Sequence, residues 1–130
     1  MTLLWRAFYA KITLPVRVMK LLGVETMIVT NCSGQAKPSI LPGDLVLIKN
    51  HLNLSGNNPL IGSNLDEFGP RFPDLSHPYD KDLRNHVKDI SNKLNIDLKE
   101  CVYAMFSGSN YETSAETLIA SNLGADTVGM

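Results

Sequence analysis

The chain has 130 residues, is 44% hydrophobic and 19% charged, and carries a formal net charge of -1. That length suits one domain or part of one, able to bury a core without disulfides or metals, and the near-neutral balance gives no electrostatic reason to expect nucleic acid or an anionic membrane. Two cysteines, Cys32 and Cys101, are too few for a secreted disulfide scaffold, so a reducing, cytoplasmic setting with small molecules or protein as partners is expected.

Residues 1–10 are apolar and aromatic, but Arg6 and Lys11 interrupt them. The stretch is far shorter than the roughly 20 residues of a bilayer span and lacks the charged start and unbroken apolar core of a secretory signal. Next, Leu14, Val18, Leu21 and Leu22 recur at helical spacing, with Pro15 suited to a first turn and Gly23 to the position past the end, which predicts a short helix. Residues 25–30 read as a strand around the buried run Met27-Ile28-Val29. Residues 44–49 read as another, around Leu45-Val46-Leu47-Ile48. The stretch 50–78 is rich in Asn, Gly and Pro, and a loop of that length is expected to be functional.

From 79 to 94, Leu83, Val87, Ile90 and Leu94 form one apolar stripe, with Lys81, Arg84, Lys88 and Lys93 elsewhere on the wheel, as in a surface helix. Residues 102–106 read as a strand. Thr113-Ser114-Ala115-Glu116 is a capping box opening a helix that closes at Gly124, and residues 125–130 begin a further strand. Strands alternating with helices predict an α/β fold, a central mixed sheet flanked by helices, with function at strand carboxyl ends.

Two small-residue loops carry the chemistry: Val29-Thr30-Asn31-Cys32-Ser33-Gly34 and Ser107-Gly108-Ser109-Asn110-Tyr111-Glu112-Thr113. An aromatic beside a carboxylate suits a purine, whose π-face meets Tyr111 while its ring N–H and exocyclic amine donate to Glu112. Glu112 equally suits a helix start, where the dipole favours an acid, and Tyr111 equally suits a hydrophobic staple. Asn31 and Cys32 leave the expected strand into Ser33-Gly34, where exposed backbone N–H groups could grip a phosphate oxygen, or these two could be a plain Asn turn and a small buried Cys. As a nucleophile Cys32 would need a base, and His51, His77 and His86 are too scattered to name one or to form a metal site. No dinucleotide or P-loop motif is present, and no cofactor or metal is expected.

Over residues 11–130 the chain resembles the homotrimeric purine nucleoside phosphorylases. The match runs through Leu14-Pro15-Val16-Arg17-Val18, Leu21-Leu22-Gly23-Val24, Val29-Thr30-Asn31, Pro42-Gly43-Asp44, His51-Leu52-Asn53-Leu54, Asn58-Pro59-Leu60-x-Gly62, Phe68-Gly69-x-Arg71-Phe72-Pro73, Tyr111-Glu112-Thr113 and Leu123-Gly124-Ala125-Asp126-x-Val128-Gly129-Met130. The resemblance implies a phosphorylase-like fold and reversible phosphorolysis of inosine- or guanosine-type nucleosides to purine base and ribose 1-phosphate, with inorganic phosphate as co-substrate. It implies that Cys32 binds phosphate through its backbone, that Asn31, Tyr111, Glu112 and Met130 line the nucleoside, and that Phe72 reaches a neighbouring subunit's site in a homotrimer.

The departures are also specific. Cys32 stands where the family has Ala, Gln35 where it has a second glycine and Ser109 where it has Pro, and the long loop is slightly short around Gly56-Asn57-Asn58. Residues 1–10 form a divergent segment without the family's Arg-x-His-x-Tyr stretch, and the pattern's earlier serine loop and its later Ser, Asn and His have no counterpart. The expectation is therefore an incomplete fold, truncated at both ends and inactive as these 130 residues alone. A catalytically dead paralogue or splice product that joins full-length subunits is the alternative, and a methylthioadenosine phosphorylase-like enzyme is a further one. The residue separating 6-oxo from 6-amino specificity falls after Met130 in the family pattern.

Overall fold

The computed structural model describes residues 2–130, with side chains from Lys11 onward. In chain order the helices are α1 (Thr2–Leu21), α2 (Lys81–Lys93) and α3 (Ser114–Asn122), and the strands are β1 (Gly34–Gln35), β2 (Leu45–Asn53), β3 (Leu98–Met105) and β4 (Thr127–Gly129). The described residues form two compact units, Met1–Asn31 with Asn58–Pro73 and Cys32–Asn57 with Asp74–Met130. The first holds α1 and part of the long loop. The second holds the sheet.

The sheet is mixed, as expected, in the order β1-β4-β3-β2. β2 with β3 and β3 with β4 are parallel, whereas β1 runs antiparallel to β4, with Gly34 opposite Val128 and Gln35 opposite Thr127. The β2–β3 register shifts between Ile48 and Asn50. β2 begins at the turn through Pro42 and Gly43, where Gly43 takes φ +94 and the Asp44 carboxylate accepts from the Leu41 N–H at 2.9 Å and the Lys99 ammonium at 2.7 Å. The turn N–H and the ammonium both hold that carboxyl below its ordinary range.

Small side chains set how α3 meets the sheet. Ala104 of β3, Ala120 of α3, Ala125 and Val128 form the buried cluster, joined by Ala36, Leu52 and Phe106. The capping box forms as read: Thr113 Oγ1 accepts from the Glu116 N–H at 3.2 Å, and Glu116 accepts from the Thr113 N–H at 2.7 Å. α2 starts at Asp80, whose carboxylate accepts from the Leu83 N–H at 2.8 Å, and reaches β3 through Arg84 and Lys88 to Glu100. Burial raises the Glu100 carboxyl, but Lys88 and Arg84 together outweigh it and hold the group low.

Three elements differ from the sequence expectation. The helix predicted around residues 14–22 is the 20-residue α1, with Pro15 inside it and not in its first turn. Residues 11–14 are compatible with a helix, so Pro15 removes one backbone bond, to the Lys11 carbonyl, without opening the helix. α1 therefore runs unbroken through residues 10 and 11, although Met1 and the side chains of residues 2–10 lie outside the described set. Residues 25–30 are not a strand. A strand exists only by pairing, and none of the sheet's ladders includes them, so Ile28 stays 84% exposed and Val29 72%. The strand-like signal instead precedes β1, where the chain first finds a partner in β4. Finally, the α2 stripe at Leu83, Val87 and Ile90 remains exposed.

The buried hydrophobic residues, Ile40, Cys101, Ala104, Ala120, Ala125 and Val128, are mostly small, while Leu21, Leu22, Ile28 and Val29 face solvent. The 130-residue polypeptide is thus expected to bind a hydrophobic dye at neutral pH and to scatter light at low denaturant. A monodisperse monomer without dye binding would contradict this expectation.

Candidate functional site

The topology gathers three chain segments at one end of the sheet. β3 and β4 are parallel, so both carboxyl ends lie there, and the Phe106 N–H donates to the Gly129 carbonyl at 2.8 Å to close the ladder. Because β1 is antiparallel to β4, Cys32 and Ser33 enter β1 from that same end. The loop after β3, the residue after β4 and the residues before β1 therefore meet, at the carboxyl ends where α/β folds place ligands.

A recess of about 60 Å³ opens there, lined by Phe106, Ser107, Gly108, Asn110, Glu112 and Glu116. Its two carboxylates have different fates. Glu116 is committed to the cap, and the Thr113 N–H and then the Thr113 hydroxyl hold its carboxyl below the ordinary value. The half-buried carboxylate of Glu112 makes no hydrogen bond or ion pair among the described residues. Tyr111 beside it is 95% exposed, so its ring does not staple α3 and both faces are open. The arrangement can present two acceptor oxygens and a flat aromatic surface to one ligand. A recess this small is an open wall and not an enclosed pocket, since ligand pockets run from about 300 Å³ upward.

Close packing fixes the floor of this wall. Gly108 takes φ +66, and a Cβ added to it would overlap Met130 Sδ. A Cβ on Gly129 would fall 2.8 Å from the Tyr103 hydroxyl. Gly108→Ala is therefore expected to strain the backbone and push the Met130 thioether out of place, at a cost of about 1–2 kcal/mol. Changed methyl NMR shifts of Met130 would report it; an unchanged Met130 signal at parental stability would count against the contact.

The base of β4 is held by a network that residue-type reasoning did not single out. Asp126 accepts from the Val102 N–H at 2.8 Å and from Lys37 Nζ at 2.9 Å, while its own carbonyl accepts from the Ala36 N–H at 3.0 Å. Burial raises the Asp126 carboxyl, but the Val102 N–H and the Lys37 ammonium outweigh it and hold the group below its ordinary value. Asp126 lies in the quoted Leu123-Gly124-Ala125-Asp126 run, so the position was visible and its structural role was not. That role depends on Lys37, 89 residues away.

Of the expected site residues, Cys32, Tyr111, Glu112 and Met130 belong to the second unit. Asn31 ends one segment of the first unit and Phe72 lies in the other. Phe72 is 86% exposed, with the Arg71 guanidinium carbon 5.6 Å from its ring centroid. Cys32 is exposed and Cys101 is fully buried, its thiol pushed up by burial, which suits packing and not nucleophilic attack. His51 pairs with the Tyr79 hydroxyl at 3.2 Å.

Residues 9–130 match the profile of the phosphorylase superfamily. The chain belongs to the phosphorylase superfamily. Among curated relatives of this superfamily member, purine nucleoside phosphorylase 1 of Bacillus subtilis is 49% identical over 120 residues, which cover 92% of this chain and 44% of the relative. The bovine purine nucleoside phosphorylase is 47% identical over 125 residues, covering 92% of this chain and 43% of its own length. A crystal structure of a Schistosoma purine nucleoside phosphorylase in complex with hypoxanthine superposes with a TM-score of 0.91 at 42% identity, over 94% of this chain and 45% of that one. The chain thus spans less than half the length of these relatives, and its sheet and helices have the phosphorylase fold.

Proposed function

We propose that this superfamily member serves the reaction of the purine nucleoside phosphorylases. In that reaction the bond between the sugar C1′ and the purine N9 breaks, the base leaves with the electron pair, and a phosphate oxygen bonds to C1′ to give ribose 1-phosphate. The observation that carries the reading is the half-buried, unengaged Glu112 carboxylate beside the open Tyr111 ring, in a chain 49% identical to a purine nucleoside phosphorylase. Glu112 accepts from the N1–H and 2-amino group of a 6-oxopurine, Tyr111 packs on the base, and Met130 lies beside the ribose. The Cys32 backbone N–H holds a phosphate oxygen, Asn31 lines the nucleoside, and inorganic phosphate is the co-substrate.

Assembly and setting extend the same reading. The exposed Phe72 supports a homotrimer in which this ring enters a neighbour's site, and a chain with two cysteines and no disulfide between them supports a cytoplasmic location. No described helix is long and apolar enough to cross a membrane.

Stabilising a transferring phosphate and a developing oxocarbenium needs positioned charge, and none of the residues lining the recess is a lysine or arginine. The 130-residue chain is therefore expected to bind guanine in preference to adenine by calorimetry, yet to release no measurable hypoxanthine from inosine and phosphate. Preferential adenine binding would favour a methylthioadenosine-type enzyme. Turnover abolished by Glu112→Ala would establish the reaction and overturn the expected inactivity.

A further inference from the structure

A second cavity lies within the first unit. It measures about 410 Å³, inside the range of small-molecule sites, and opens between α1 and the loop that carries the 3-10 turn Asp66–Phe68. One side is α1, through Val16, Arg17 and Lys20; the other is mainly apolar, through Leu60, Leu65 and Phe68, with Ser63 and Asn64 between them. The loop wall is tied internally: Arg71 Nη1 donates to the Leu60 carbonyl at 2.9 Å, the Phe68 N–H to the Leu65 carbonyl at 2.9 Å and the Asn64 amide to Asp66 at 2.6 Å. It is a built surface.

Charge decides what such a cavity would hold. Arg17 and Lys20 stand three positions apart on α1 and both line it, yet neither pairs with a carboxylate among the described residues. Arg17 is half-buried, and its guanidinium carbon lies 5.9 Å from the Phe68 ring centroid, a contact that orients the group without neutralising it. A partly desolvated guanidinium lacking an anion is a costly arrangement that an incoming oxyanion would relieve, with two parallel hydrogen bonds from the planar fork. The remaining lining is mainly aliphatic, prolyl and aromatic, with Thr13, Ser63 and Asn64 adding polar groups, which favours a flat, mostly apolar body behind the charged head.

We propose that this cavity binds a small organic oxyanion, a ring-bearing carboxylate or phosphate monoester. Arg17 grips the head, Lys20 adds charge at the mouth, and Phe68, Leu60 and Val16 hold the ring. The site is independent of the purine reading, because every residue in it belongs to the first unit.

The test titrates the isotope-labelled protein with 1-naphthoate, 1-naphthyl phosphate and the neutral 1-naphthamide, following backbone amide shifts. The expected result is saturable shifts confined to residues 13–20 and 59–73 for an oxyanion, with naphthamide and Lys20→Gln each weakening binding about tenfold or more and Arg17→Gln weakening it at least as much. The tighter of the two oxyanions identifies the head group. Lys20 is exposed, so its variant reads the charge requirement even where Arg17→Gln disturbs packing. Equal binding of naphthamide, shifts confined to residues 106–112, or absence of saturable shifts would each overturn the proposal.

Discussion

Replacing Asp126 with alanine is expected to cost about 3 kcal/mol in the opening of the β3–β4 ladder, seen as a loss of roughly two orders of magnitude in amide protection at Val102. One carboxylate accepts from the Val102 N–H and from Lys37, and removing it leaves a part-buried N–H without its acceptor and the Lys37 ammonium with the Gly124 carbonyl but no counter-charge. Asp126→Asn keeps an acceptor for the N–H and loses the ion pair, so its effect is smaller, about 1 kcal/mol. Acid should act like the alanine change. The native carboxyl is held below its ordinary value near 3.8, so its contribution is fully present above that pH and disappears as pH falls through it toward the lower native value. Hydrogen exchange of β3 and β4 amides, corrected for intrinsic rates between pH 6 and pH 3, is the measurement. Unchanged protection in Asp126→Ala would show that the ladder stands without this anchor.

Glu112→Gln should weaken guanine binding by about a hundredfold while leaving the far-ultraviolet circular dichroism unchanged. Guanine offers two donors along one edge, N1–H and the 2-amino group, and a carboxylate meets both with acceptors. The amide meets only one and points its own N–H₂ at the other, turning a charge-assisted bond into opposed donors. The fold should not register the change, because the cap of α3 is made by Thr113 and Glu116 and Glu112 takes no part in it. Calorimetric titration of both proteins with guanine decides it. Equal affinities would make Glu112 a solvated acid at a helix start and locate base recognition elsewhere.

Local chemistry determined by itself what depends on neighbours in sequence. The capping box at Thr113-Ser114-Ala115-Glu116, the stop at Gly124, the helix α2, the turn at Pro42-Gly43 and strands overlapping the expected 44–49 and 102–106 all formed, because hydrogen-bond reach along a helix and side-chain alternation along a strand operate within a few residues. The pairing of Tyr111 with Glu112 was legible for the same reason. Tertiary structure decided the rest. The aliphatic run Met27-Ile28-Val29 has the composition of a buried strand and is exposed, since hydrophobicity demands a partner without naming one. Gly34 and Gln35 carry little strand signal and form β1, because β4 supplies the opposite edge. Which of two glutamates in one recess remains available could not be read from composition: Glu116 spends its oxygens on Thr113 and Glu112 does not. Likewise Asp126 acquires its anchoring role only when Lys37 arrives from 89 residues away, a contact fixed by strand order and by no local propensity.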